Sequence, residues 1–366
     1  MCRLKVEIAG MRLSVSKYAY ISAKVKGMKL RLLSREAYEA LLRCHDLSEV
    51  CTSLENTEYS LEIAEARLLG IQATTLERAF IKNLFKVFTK VAEKSPSEVR
   101  AFIAVNMRKF EIENVKAILR AVRAGLRPEE AMSFVIPVPF GLQSDAYESL
   151  LRKVGGVEDL VRRMEVTEYG PVLGDLLEDY AEKRSLLPLE AGLDRLLYGS
   201  LFSKMDKMAG RDRRIVADLL GTEVDLVNIN VILRSKALRL RAEDAYRYVF
   251  PVFCHITEKQ VGEAMNAQDV EGAITALTVR PYAEMLSKIL LDYQDTGFLT
   301  DIDVEKDHLL LEASRSLRRM YLSPFHIGTI LSFLNLKWFE VRNLRALVYG
   351  KEDGLPQEAI EKLLVY

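Results

Sequence analysis

The 366-residue chain is poor in the residues that carry most chemistry: four cysteines, four histidines and one tryptophan. Cys2, Cys44, Cys51 and Cys254 form no Cys-x-x-Cys pair and no paired framework. That excludes a disulfide-stapled scaffold and is the usage of a reduced, intracellular protein. His45, His255, His308 and His326 are too scattered for an acid–base site. Neither sign of charge is in excess: 52 Lys and Arg balance 52 Asp and Glu. A nucleic-acid binder shows a basic footprint, so that class is set aside. No apolar run approaches the ~20 residues of a membrane span, and membrane association has to run through a partner or a surface. The opening Met1-Cys2-Arg3-Leu4-Lys5-Val6-Glu7-Ile8 alternates apolar and charged residues and lacks the apolar core of a signal peptide. Its strand cue at Leu4, Val6 and Ile8 is short and unpartnered.

The motifs of nucleotide and hydrolytic sites are missing too. There is no Gly-x-x-x-x-Gly-Lys-Ser/Thr loop, because Gly350-Lys351 is followed by Glu352-Asp353. There is no Gly-x-Ser-x-Gly elbow and no His-Glu-x-x-His. Glu305 and His308 have the Glu-x-x-His spacing of helical di-metal sites, but the matching Glu77 and Glu190 carry Phe80 and Leu193 three residues on. Cys44-His45 with Cys51 lacks tetrahedral-site spacing, and Cys254-His255 falls in a linker with no partner in the pattern. The sequence therefore assigns no catalytic, cofactor or metal residue.

What is present is repetition. Phe110-Glu111-Ile112-Glu113-Asn114-Val115, Val224-Asp225-Leu226-Val227-Asn228-Ile229 and Phe339-Glu340-Val341-Arg342-Asn343-Leu344 share an acid three residues before an Asn. Apolar residues follow in register: Ile112, Val115, Ile118, Leu119; Leu226, Ile229, Ile232, Leu233; Val341, Leu344, Leu347, Val348. This is one face of an α-helix, and the third copy reads as the last helix of the chain. The acid is expected in the first helical turn, where it suits the dipole. Asn is a poor interior helix former. Asn114, Asn228 and Asn343 are therefore expected to satisfy exposed backbone at a neighbouring helix end. They lie 114 and 115 residues apart.

Other anchors keep the same period. Tyr18 to Leu33 reads as one amphipathic helix. Ser34, Ser144 and Thr257 read as N-caps of equivalent helices, and Thr257 with Gln260 has capping-box spacing. Tyr59, Tyr169 and Tyr282 each follow their cap by 25 residues, and Glu77, Glu190 and Glu305 come next. Phe134-Val135-Ile136-Pro137 matches Tyr248-Val249-Phe250-Pro251, each Pro 23 residues after its Asn, and Tyr366 stands where a third would fall. Residues 1–137, 138–251 and 252–366 thus read as three copies of one unit, the first with an N-terminal extension. The expected fold is all-α, with three homologous helical domains in a pseudo-threefold arrangement.

Basic clusters remain, at Arg162-Arg163, Arg211 with Arg213 and Arg214, and Arg318 with Arg319. Arginines that differ between the copies are better partner-docking candidates than the repeated anchors. On that ground Arg211, Arg213, Arg214, Arg318 and Arg319 are selected.

Tyr18-Ala19-Tyr20-Ile21-Ser22-Ala23-Lys24-Val25-Lys26-Gly27-Met28-Lys29, then Leu32-Leu33-Ser34-Arg35-Glu36, resembles the opening of the C subunit of the A/V-type ATP synthases, the counterpart of the eukaryotic V-ATPase d subunit. Glu340-Val341-Arg342-Asn343-Leu344-Arg345 with Gly350-Lys351 resembles that family's C-terminal signature. The resemblance runs from about Lys17 to Tyr366, and the residues before Lys17 depart from the family's compact start, so Met11 is an alternative initiator. It implies a funnel of three helical domains, one copy per complex, peripheral on the cytoplasmic face of the membrane. That funnel sits on the proteolipid rotor ring and receives the central stalk. It further implies a non-catalytic rotor subunit without cofactor, small-molecule substrate or nucleic acid. Such a subunit transmits torque between H⁺ or Na⁺ translocation and ATP synthesis or hydrolysis. A helical scaffold for soluble partners and a helical metal-dependent enzyme are the alternatives.

Overall fold

The computed structural model describes residues 17–208, 210–297, 301–322 and 325–365, with backbone alone for 301–307 and 321–322. The described residues form α-helices, one 3₁₀ turn (Met164–Val166) and no strand, so the fold is all-α. In chain order the first helices are α1 (residues 17–29), α2 (Arg35–Arg43), α3 (Leu47–Leu54), α4 (Ser60–Leu69), α5 (Ala73–Glu93) and α6 (Ser97–Arg123). Then come α7 (Pro128–Met132), α8 (Ser144–Leu151), α9 (Val157–Arg163), α10 (Gly170–Asp175), α11 (Leu177–Lys183), α12 (Leu187–Met205) and α13 (Gly210–Ala237). The last are α14 (Ala242–Tyr246), α15 (Glu258–Asn266), α16 (Val270–Leu277), α17 (Ala283–Thr296), α18 (Asp301–Leu322), α19 (Ile327–Glu352) and α20 (Gln357–Leu363). The strand cue at Leu4, Val6 and Ile8, Met11 and Tyr366 lie outside the described residues, as does the Glu305 side chain.

The chain divides into two compact units, Met1–Ala104 with Ile136–Pro139 and Glu312–Tyr366, and Val105–Val135 with Phe140–Leu311. In the first, α19 is the central helix. Ile327, Ile330, Phe333, Phe339, Val341, Leu344, Leu347 and Val348 are buried around its whole circumference, as expected of a helix enclosed by others. Each such side chain contributes about 1.5–3 kcal/mol through burial. Along it packs α5, whose Leu76, Phe80, Leu84 and Phe88 recur at four-residue steps and are buried. Closing over the end of α19 is α20, where a methyl on Gly350 would come within 2.7 Å of Ile360 Cγ1.

The second unit gathers one large core on α13. Leu226, Ile229, Ile232 and Leu233 meet Val261, Ala264 and Met265 of α15, Ile274 and Leu277 of α16, and Leu286 of α17. These α13 residues are the apolar face read from the repeat.

Four boundaries differ from the sequence reading. Helix α1 stops at residue 29, because Arg31 and Leu32 turn back onto Met28 and Lys29. Ser144 is the first residue of α8 and Gln143 is its cap, whereas Ser34 and Thr257 do cap α2 and α15. The third motif helix is followed by α20. Finally, Glu111, Asp225 and Glu340 are mid-helix, since α6, α13 and α19 begin more than a turn earlier. Their charges therefore answer local donors instead of the helix dipole, which acts only within the end turns.

Candidate functional site

The three repeated acids sit at the centre of three like arrangements. Glu340 is buried. Its Oε2 accepts the Leu33 amide at 2.5 Å, and its Oε1 accepts Tyr59 Oη at 2.7 Å. Lys337 Nζ donates to the same Oε1 (2.7 Å) and to Tyr59 Oη (2.9 Å), and lies 4.1 Å from the Tyr59 ring centre. Burial and then the Glu340 charge push the Tyr59 phenol well above its ordinary range. Asp225 is fully buried. It accepts the amides of Cys254 (2.9 Å), His255 (2.7 Å) and Ile256 (3.3 Å), together with Tyr282 Oη (2.8 Å). Glu111 accepts the Leu142 amide at 2.9 Å. The buried Tyr169 feels its charge, and burial first, then Glu111, raises that phenol.

Leu33, Leu142 and Ile256 each stand one residue before the caps Ser34, Gln143 and Thr257. The acid of each sequence repeat therefore holds the amide before the capped helix α2, α8 or α15, and lies by the tyrosine, of the next repeat. Glu340 of the third copy does so for the first. A buried carboxylate needs this full set of donors, because a buried charge is tolerated only when paired and hydrogen-bonded.

The asparagines hold the segment that follows. Asn343 Oδ1 accepts the Val365 amide (2.8 Å) and Nδ2 donates to the Val365 carbonyl (2.7 Å). Asn228 does the same for Phe250, at 2.7 and 2.9 Å, and reaches the Val252 carbonyl at 3.3 Å. Phe250 precedes Pro251, where extended backbone is favoured and no helical partner exists. Asn114 is equally buried and has the Tyr147 hydroxyl beside it.

A second acid series reinforces the joint. Glu77 accepts Tyr349 Oη and Arg345 Nη2, both at 2.6 Å. Glu190 accepts Arg120 Nε and Arg234 Nη1, both at 2.6 Å. Burial raises the Glu190 carboxyl, but Arg120 and Arg234 outweigh that and hold it below its usual value. Tyr349 and Arg120 are both six residues after their Asn.

One repeated feature is not among the sequence anchors. Lys351, eight residues after Asn343, donates to the Leu42 (3.0 Å) and Cys44 carbonyls at the end of α2. Lys236, eight after Asn228, donates to the Met265 (2.5 Å) and Ala267 (2.6 Å) carbonyls at the end of α15. A cation there satisfies carbonyls that the helix end leaves open. Its signal in the sequence is only the shared offset.

The selected arginines lie elsewhere. Arg211, Arg213 and Arg214 are exposed in the first turn of α13, with Arg213 Nη2 3.0 Å from Asp206. Arg318 is exposed and Arg319 half-buried near the end of α18. Among the described residues no helix is long and apolar enough to cross a membrane.

Three relatives of known name align with most of the chain. The C subunit of the A-type ATP synthase of Methanocaldococcus jannaschii is 29% identical over 362 residues, 98% of this chain and 89% of that protein. Its namesake in Methanothermobacter thermautotrophicus is 29% identical over 367 residues, 98% and 91% of the two chains. That of Haloferax volcanii is 29% identical over 352 residues, 94% and 97% of the two chains. The profile of the ATP synthase (C/AC39) subunit family matches residues 21–363. The chain belongs to the ATP synthase (C/AC39) subunit family.

Proposed function

We propose that this chain is the rotor adaptor of an A/V-type ATP synthase, joining the central stalk to the proteolipid ring and carrying torque between them. Family membership makes it a subunit of the ATP synthase complex, structural instead of catalytic. The observation that carries the proposal is the family match over residues 21–363. The three repeated joints support it, because a transmitter of torque has to resist shear. Each joint sets a buried acid, its amide partner and a tyrosine between successive copies, and the third ties back to the first. Packed interiors of this kind deform little. In this reading the chain is present once per complex, as three helical domains in a threefold funnel over residues 1–137, 138–251 and 252–366, on the cytoplasmic face of the membrane. Arg211, Arg213, Arg214, Arg318 and Arg319 dock its partners.

The test is affinity capture of the tagged chain from detergent-solubilised membranes. Stalk and ring subunits should co-elute in fixed ratio, one copy of this chain to one ring. Recovery of soluble partners alone, with no ring protein, would reject the adaptor reading in favour of a scaffold.

A further inference from the structure

The second of the three acid sites differs from the others at the position of their cation. Six residues before the Asn, the first and third copies carry a cation: Arg108, whose charge acts on Tyr169, and Lys337, bonded to Tyr59 and Glu340. The second copy has Thr222 there. Around Thr222 the fold assembles a mixed donor set. Asp218 is one turn before it on α13, and Cys254 and His255 come from the bend at 254–256. The Asp218 carboxylate, Cys254 Sγ and a His255 ring nitrogen all lie within 4.8 Å of one another. His255 Nε2 is 3.6 Å from Asp218 Oδ1. Two ligands of one tetrahedral ion at about 2.0–2.1 Å each stand roughly 3.4 Å apart.

The ligands are held in place before any ion arrives. Asp225 fixes the backbone amides of both Cys254 and His255. The His255 ring packs edge-on against Tyr282, centres 6.0 Å apart, and Tyr282 is itself bonded to Asp225. Cys254 reaches α13 over Gly221, where a methyl would meet Cys254 Cβ at 2.6 Å. Cys254 is exposed and Asp218 half-exposed, which gives an ion a path in.

We propose that Asp218, Cys254 and His255 bind a zinc-type divalent transition-metal ion, with water as fourth ligand, beside the second joint, where the carboxylate and thiolate balance the charge of the ion. Sulfur, imidazole and carboxylate together suit Zn²⁺ or Co²⁺ and disfavour Mg²⁺ or Ca²⁺. The ion would bind thiolate and neutral imidazole, releasing the thiol proton. Its effect would be to fasten the 250–257 segment to α13.

The experiment is a Co²⁺ titration of the full-length chain after treatment with chelator, followed by the thiolate-to-cobalt charge-transfer band in the near ultraviolet. One equivalent should saturate it, and Zn²⁺ should displace it. Cys254→Ser should abolish the band, and Asp218→Asn and His255→Gln should each weaken binding at least tenfold. Zn²⁺ should raise the melting temperature of the native chain more than that of Asp218→Asn. Neither Asp218 nor Cys254 is buried, so their variants should melt like the native chain without metal. No band at millimolar Co²⁺, or a band that survives in Cys254→Ser on the chain's other cysteines, overturns the proposal. So does unchanged affinity in both Asp218→Asn and His255→Gln.

Discussion

Tyr59 and Glu340 are 281 positions apart in the chain, and Tyr59 Oη donates to Glu340 Oε1 over 2.7 Å. This is one of the contacts that tie the third sequence repeat to the first. It is the counterpart of Tyr282 on Asp225, 57 positions apart. In the sequence repeat, Tyr282 is thus met by an acid from the repeat before its own, and Tyr59 by Glu340 near the C-terminus.

The Lys337–Glu340 pair is 3% and 4% exposed at its side chains, so solvent screens it little. Lys337→Met and Glu340→Gln should each destabilise by about 3–5 kcal/mol, because either leaves a buried charge without its partner. The double variant should cost less than the two singles combined, with a coupling of about 0.5–3 kcal/mol. Denaturant melts of all four chains give that number. Strict additivity would mean that the two side chains do not support one another.

Asn343→Leu strands the amide and carbonyl of Val365, which is 2% exposed. The cost should be about 1–3 kcal/mol for each buried group left unbonded. Asn228→Leu should cost a similar amount through Phe250. Thermal or urea melts decide it. A melt unchanged by Asn343→Leu would remove the anchoring role and leave the amide available to a ligand.

These joints show what a single sequence reveals and what it hides. The apolar steps after each Asn mark the buried faces of α13 and α19, since helical period and burial are one signal. The buried tyrosines are visible as fixed offsets from Ser34, Ser144 and Thr257. Which copy each tyrosine answers is hidden, because a repeat read along the chain is silent on pairing across it. The acid's place in its helix is hidden for a related reason. Residues 97–110 and 211–220 carry no Gly or Pro, and α6 and α13 run through them. The Lys236 and Lys351 caps do not stand out, because a lysine near a helix end has an ordinary explanation in the dipole. The meeting of Asp218 with Cys254-His255 needs the fold, which brings a linker back over α13.

Glu190 gives a pH dependence with a defined sign. Its folded-state pKa is held below its ordinary value by Arg120 and Arg234 in spite of burial. The stability it adds is therefore complete above the ordinary carboxylate range, and is lost as pH falls through the lowered value. Glu190→Gln should destabilise by about 1.5–3 kcal/mol at neutral pH, toward the lower end because Arg120 is half exposed. The gap between native and variant should narrow steadily as pH drops below 4.5. A gap that widens in acid would reverse the assignment.

The chain has no phosphate-cradling loop, and its partners are expected to be proteins, so its exposed charge is the place to test docking. Arg211, Arg213 and Arg214 are presented together by one helical turn of α13, and Arg318 with Arg319 by α18. Arg213 and Asp206 are both more than half exposed, so their pair adds little to folding. Single reversal to Glu at Arg213, Arg214 or Arg318 should leave the melt within about 0.5 kcal/mol, as for most surface changes. Guanidinium groups bind carboxylates bidentately, so the same reversals should act on assembly. Under the proposed adaptor role, a many-fold ring would meet a chain read as threefold, its copies could not all make the same contact, and unit-specific arginines are proposed to carry the selectivity. Each reversed cluster should weaken reassembly with isolated stalk and ring subunits at least tenfold at low salt. The deficit should shrink as salt is raised, because screening removes from the native chain the attraction that the variant already lacks. Isothermal calorimetry should meanwhile detect no saturable ATP binding by the native chain or the variants. If both reversals leave assembly and its salt dependence unchanged while the fold is intact, these arginines are solvated helix faces and the docking surface lies elsewhere.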